Sequence, residues 1–396
     1  MMDLNTTLFL LICGGYFFGL FFDRLKLPSI LGMLIFGIFA SLTIGNYASP
    51  LLWEVEPSLK SFALTIILLR AGLGIKKESL RKNGTSALLM SFLPATLETI
   101  VLTLALHSLL SFSLLTALLT ATMLTAVSPA VIVPAMLDLT ARNRGNKKDI
   151  PSLILAGASI DDVLAITLFS LLLHGLTGEA FSPQEIALMT PLALVTAVVA
   201  GAFVGRVSIY YFSKHPEKVR DTEKVLLLLV GAFFLISLGE IIHIASLLAI
   251  MTAGFIILEK NSDIAARIAE KLSKIWVFAE IILFVLIGFS LDLSAALYAG
   301  PRGVLIILIG VSVRSIGVWI STIPSRHLTK KERLFCVCAY IPKATVQAAL
   351  GGVALSHGLP EGDIILALAV ISILITAPVG LIGIRLGSTY LLTDES

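Results

Sequence analysis

Apolar residues fill this chain in runs of helix length, separated by short polar stretches rich in lysine and arginine. Runs of spanning length begin near Leu4, Ser29, Leu59, Ser86, Leu114, Ser152 and Ile186, then near Lys224, Ser246, Ile275, Gly303, Leu334 and Asp363. Crossing a bilayer takes about 20 mostly apolar residues, because the hydrocarbon core is about 30 Å thick and each helical residue rises about 1.5 Å. The pattern predicts thirteen transmembrane helices, the run after Ser246 being the shortest. An odd number puts the termini on opposite sides.

Most of the 29 basic residues fall in one set of alternate loops. These carry Arg24 and Lys26; Lys76, Lys77, Arg81 and Lys82; Arg142, Arg144, Lys147 and Lys148; Arg206, Lys214, Lys218, Arg220 and Lys224. They continue with Lys260, Arg267, Lys271 and Lys274; Arg326, Lys330, Lys331 and Arg333; and Arg385. The opposite loops hold only Lys60 and Arg302. By the positive-inside rule the N-terminus is expected outside and the C-terminus in the cytoplasm of a cell with a plasma (inner) membrane.

Composition agrees with the pattern. Of 396 residues, 57% are hydrophobic and 14% charged, and the mean hydropathy is +0.97. That excludes a soluble globular protein. The chain reads as one all-α polytopic membrane domain over residues 1–396. Met1-Met2-Asp3 lacks the basic start of a cleaved signal peptide, so none is expected. Cys13, Cys336 and Cys338 read as small apolar residues.

Charges inside the spans change the picture. Arg70 lies close enough to Lys76 to snorkel to the cytoplasmic surface, and Glu280 reaches the same interface. Glu98, Asp161, Asp162, Arg314 and Lys343 fall near mid-membrane. A charge at that depth costs about 2.5–3.5 kcal/mol even on the translocon scale. Asp161 and Asp162 are neighbours on one helix and point about 100° apart, so one partner cannot satisfy both. One is expected to pair with a base while the other faces a water-filled cavity. Fully ionised, three acids against two bases leave one negative charge, which a monovalent cation or a proton neutralises equally well. Whether Arg314 holds Glu98 or Asp161 stays open. The six histidines lie in loops or near span ends, and none is a mid-membrane proton relay.

Two spans carry helix breakers at similar depth: Thr125-Ala-Val-Ser-Pro-Ala130, with Pro134 beyond, and Tyr340-Ile-Pro-Lys-Ala-Thr345. Proline removes a backbone donor and frees a carbonyl, tolerated in a bilayer only where the protein or a cavity satisfies the backbone. The two spans are seven apart and so antiparallel, as an inverted repeat of spans one to six and eight to thirteen requires. Breaks in corresponding places of two halves mark the binding site of a secondary transporter. Pro129 and Pro342 are the predicted break points. Ser128 and the carbonyls freed around both prolines are candidate cation ligands.

At Arg70-Ala-Gly-Leu-Gly74, Val127-Ser-Pro-Ala130, Ala158-Ser-Ile-Asp-Asp162 and Pro342-Lys-Ala-Thr-Val-Gln347 the chain resembles the monovalent cation/proton antiporter superfamily. Within it, it is similar to the NHA-type sodium/proton antiporters and their bacterial relatives. The resemblance covers nearly the whole chain. It implies the Na+/H+ antiporter fold, with inverted repeats and two crossing discontinuous helices. It also implies a homodimer with a dimerisation subdomain (about 1–80 and 221–295), an ion-transporting core (about 84–178 and 302–388), a linker helix (about 185–213), and elevator-like movement. By the same resemblance Asp162 is the Na+-binding carboxylate and Asp161 its partner in proton handling, also placed at the metal; the residues themselves mark Glu98, Arg314 and Lys343 as supporting charges. Val127-Ser128 stands where many relatives have Thr-Asp, and Arg314 where many have lysine. Arginine stays protonated and cannot carry the proton.

The function expected is antiport of Na+ (or Li+) against H+, both competing for the aspartate pair. K+/H+ antiport and sodium-coupled solute symport on a related fold are the alternatives. An intramembrane aspartyl protease needs its aspartates on two facing helices, and a channel needs filter-like repeats; neither pattern is present, so no enzyme is expected. Expected partners are membrane lipid and monovalent cations, not nucleic acid, with no cofactor beyond the transported ions.

Overall fold

The computed structural model describes residues 2–74, 77–177, 183–214, 219–242 and 246–392. Of the residues singled out above, the side chains of Lys76, Lys77, Arg81, Lys82, Pro129, Pro134, Asp162, His174, His215, Lys218 and His243 lie outside the described residues. Among the described residues there are fifteen α-helices and no strand. They are α1 (Leu4–Arg24), α2 (Ser29–Ile44), α3 (Pro50–Leu73), α4 (Lys77–Leu110), α5 (Leu114–Thr125), α6 (Pro129–Ala141), α7 (Ile150–Thr177) and α8 (Pro183–Lys214). There follow α9 (Asp221–Ile242), α10 (Ser246–Lys260), α11 (Ser262–Phe289), α12 (Leu293–Ser321), α13 (Lys330–Ala339), α14 (Thr345–Ser356) and α15 (Gly362–Tyr390). Among the described residues, eight helices are long and apolar enough to cross a membrane unaided. The breaks at Pro129 and Pro342 leave α5, α6, α13 and α14 too short to do so singly.

Local signals set the ends. Asp3 accepts from the Thr6 amide at the start of α1 and Asp292 from the Ser294 amide at the start of α12. Thr329 and Glu332 form a reciprocal capping box on α13. Proline opens α3 and α6, where its missing N–H costs nothing. These signals start α3 and α12 well before their apolar runs. Lys60 and Arg302, expected in outer loops, therefore lie within helices. Lys60 pairs with Glu56, and both are mostly buried. Arg70 covers the Trp276 ring at 5.5 Å instead of only reaching for the surface.

Helices α1, α2, α3, α10 and α11 pack together, with α8 and α9 against α10 and α11. Helices α4, α5, α7, α12, α13, α14 and α15 form a second group, with α6 against α7, while α14 also touches α3 and α11. The first group is tightly joined. A Cβ on Gly37 would lie 2.2 Å from the Val285 carbonyl and one on Gly288 2.3 Å from that of Leu34, so backbone meets backbone only because both are glycine. The outward faces of α1 and α8 present Phe9, Phe17, Phe21, Val199, Phe203 and Tyr210. Such apolar breadth suits lipid and not water.

Candidate cation site

The two unwound segments meet deep inside the second group. Residues 126–128 separate α5 from α6, and residues 340–344 separate α13 from α14. They touch directly, the Ser128 amide donating to the Pro342 carbonyl at 2.9 Å. Beyond the contact, the Lys343 amide donates to Thr376 Oγ1 of α15 at 2.9 Å.

An α-helix leaves its last four carbonyls without partners, and in a bilayer no water supplies them. At the end of α5 the protein supplies all four. Gln347 Nε2 donates to Met123 O (3.2 Å) and Ala126 O (2.5 Å). Lys343 Nζ donates to Leu124 O (2.5 Å), and Arg314 Nη1 to Thr125 O (2.7 Å). The carbonyls expected as cation ligands at the end of α5, and that of Pro342, each hold a protein donor on one lone pair. Two positive side chains also suit the negative end of the helix dipole.

The same two bases organise the acids. Arg314 is 1% exposed and Glu98 and Asp161 are fully buried. Arg314 Nη1 lies 2.7 Å from Glu98 Oε2 and Nη2 lies 2.5 Å from Asp161 Oδ2. Its Nε donates to the Tyr340 carbonyl at 3.1 Å, and the guanidinium covers the Tyr340 ring at 5.4 Å. Lys343 Nζ takes the other Glu98 oxygen at 2.9 Å. Neither alternative for Arg314 holds alone, since it binds both acids at once. Glu98, Asp161, Arg314 and Lys343 sum to zero charge. Asp162 lies on α7 beside Asp161, its side chain outside the described residues.

Among the described residues several buried oxygens have no hydrogen-bond partner: Ser128 Oγ, Asp161 Oδ1, Thr345 Oγ1 and Gln347 Oε1. An orphaned buried polar atom costs about 1–3 kcal/mol. These four, on the two breaks and the adjoining helices, are the candidate ligands for a cation. Thr345 and Gln347 had drawn no separate notice in the sequence. The visible signal was a glutamine inside the apolar run of α14, where only a backbone or ligand contact justifies an amide.

Comparison with known proteins gives this geometry its class: membrane antiporters for monovalent cations and protons. The sequence profile of the transmembrane sodium/hydrogen exchanger family matches residues 8–386. The chain is 32% identical to human sodium/hydrogen exchanger 9B2 over 376 residues, covering 89% of this chain and 68% of that one. It is 30% identical to the Xenopus tropicalis 9B2 protein over 401 residues, covering 96% and 73%. Among solved structures, the sodium proton antiporter MjNhaP1 of Methanocaldococcus jannaschii superposes with a TM-score of 0.79 at 18% identity, covering 98% of this chain and 99% of that one, so the fold is shared. The chain belongs to the sodium/hydrogen exchanger family.

Proposed function

We propose that the protein exchanges Na+ (or Li+) for H+ one for one, the two ions taking turns on Asp162. One observation carries this reading: the four described charges beside Asp162 cancel, while four oxygens around the crossing stay unpartnered. Arg314 occupies one oxygen of Asp161, and the reading assigns the trade of a proton for a metal ion to Asp162. Ser128, Thr345, Gln347 and the second oxygen of Asp161 offer neutral or shared ligands of the hard kind alkali cations take. The human relative is named a sodium/hydrogen exchanger, which supports the same cargo.

The movement that goes with this cargo is an elevator-like shift of residues 84–178 and 302–388 against residues 1–80 and 221–295. Helix α8 is the linker. Counting α5 with α6 and α13 with α14 as single broken spans gives thirteen crossings, with the N-terminus outside. The protein acts as a homodimer in the plasma (inner) membrane.

The test is exchange in proteoliposomes carrying an internal pH dye, with Na+, Li+ and K+ added in turn. Na+ and Li+ are expected to dissipate the pH gradient, and Asp162→Asn to abolish the response. A gradient dissipated by K+ alone overturns the choice of cargo. Unchanged exchange in Asp162→Asn overturns the assignment of the carboxylate.

A further inference from the structure

A second buried charged cluster lies away from the cation site. On α3, Glu56 and Lys60 stand one turn apart and pair directly, their side chains only 9% and 12% exposed. Lys60 Nζ donates to Ser290 Oγ at 3.1 Å. The Ser290 hydroxyl, at the end of α11, donates in turn to Glu56. Nearby, Trp53 of α3 stacks on Phe289 of α11 at 5.5 Å. The cluster is thus built entirely from two helices of one packed group and is held rigidly within it.

Its outer face meets the other group. A Cβ on Gly352 of α14 would lie 3.5 Å from Lys60 Cδ and 4.0 Å from its Nζ. A lysine shaft therefore lies across the glycine face of the helix that begins at the cation site. A buried ion pair is weak evidence for stability, because apolar residues of similar volume do as well or better. Intramembrane charges are retained for function more often than for stability. Here the positive member is turned to the seam between the groups, on the side where α14 ends at Ser356.

We propose that Lys60, positioned by Glu56 and Ser290, seals this seam on the Ser356 side: its apolar shaft seats against Gly352 while its ammonium is held by Glu56 and Ser290. The cluster is a positioning device for the exchange, since Lys60 contacts the moving helix and not the cargo. Glu56 and Ser290 fix its direction. Gly352 gives α14 a smooth face at the contact. The proposal rests on the exchange above for its transport readout, and on packing alone for the seal.

Two measurements test it, and only the second needs transport. In a variant with the three natural cysteines replaced, Gly352→Cys is offered to a membrane-impermeant maleimide from each side separately. The new Cβ meets Lys60 at ordinary van der Waals distance. Slow labelling from the Ser356 side is expected with Lys60 present, and labelling roughly tenfold faster from that side alone in Lys60→Met and Glu56→Gln, the factor a change of about 1.4 kcal/mol produces. Equal labelling with and without Lys60 overturns the seal. In proteoliposomes, Lys60→Met is expected to change kcat roughly threefold or more while KM for the cation stays within about twofold. The swapped pair Glu56→Lys with Lys60→Glu restores the ion pair but moves the positive charge one turn, so it should not restore kcat. Full recovery by the swap shows glue between helices and overturns the proposal. If wild-type protein exchanges none of the cations while the labelling contrast stands, the cargo reading fails and the seal survives.

Discussion

Arg314 of α12 holds Asp161 of α7 through one guanidinium nitrogen while another binds Glu98 of α4. Three helices thus meet on one side chain that is always charged. On the exchange proposed above, this contact makes Asp161 the held member of the pair and gives the trading of protons to Asp162.

Removing the guanidinium tests that role. Arg314→Met leaves two buried carboxylates short of a partner and the Thr125 and Tyr340 carbonyls short of donors. Breaking such a pair costs about 3–5 kcal/mol. A marked drop in melting temperature in detergent is expected, with Arg314→Lys falling between. A melting point equal to wild type in both variants would show that Arg314 is not structural.

Stoichiometry follows from the same contact. If Asp161 stays held by Arg314 as proposed, one proton moves per cation and the cycle is expected to carry no net charge. Capacitive current on a solid-supported membrane should stay at the level of the Asp162→Asn control under a sodium jump. A sustained current with reversed sign for reversed gradients would mean that a second group releases its proton.

Competition for one carboxylate sets the pH dependence of affinity. Below the pH at which Asp162 half-protonates, apparent KM for Na+ should rise about tenfold per pH unit, the limit for one competing proton. A slope approaching about a hundredfold per pH unit indicates two protons, and a flat line indicates separate sites.

Gln347 gives a neutral test of the crossing. Gln347→Leu leaves the Met123 and Ala126 carbonyls without donors, at a cost of about 1–3 kcal/mol each. Loss of both thermal stability and exchange is expected. Gln347→Glu is the sharper variant, since a carboxylate cannot donate to those carbonyls when ionised and adds a competing cation ligand. Wild-type stability in Gln347→Leu would mean that water fills the gap.

Outside the membrane-spanning segments, Asp292 caps α12, and hydrogen bonds from the Ser294 side chain and amide hold its carboxyl below the usual value. A depressed carboxylate stabilises the fold above its unfolded pKa, about 3.9, and loses that contribution as pH falls through the lower folded value. Asp292→Ala should therefore lower stability by about 1 kcal/mol at neutral pH. The gap in melting temperature should close as pH approaches about 3. A gap that widens in acid would contradict the cap.

The helical class, the breaks and the buried charges were legible in the sequence because a bilayer punishes each of them. A proline pair such as Pro129 and Pro342, or a base such as Lys343 in an apolar run, has few innocent readings there. Pairing was not legible. Arg314 and Asp161 stand 153 positions apart, and nothing local tells which acid a guanidinium will meet. Lys60 was misplaced for a different reason: hydropathy marks where apolar residues begin, whereas α3 begins at the proline that opens it.

The crossing is braced by α12, the second break and α14, because Arg314, Lys343 and Gln347 occupy the end of α5. An arriving ion meets oxygens whose positions were fixed during folding, so little disorder is surrendered on capture. Weak, rapidly reversible association then becomes compatible with sharp discrimination, which a carrier that must release its passenger on every turn requires.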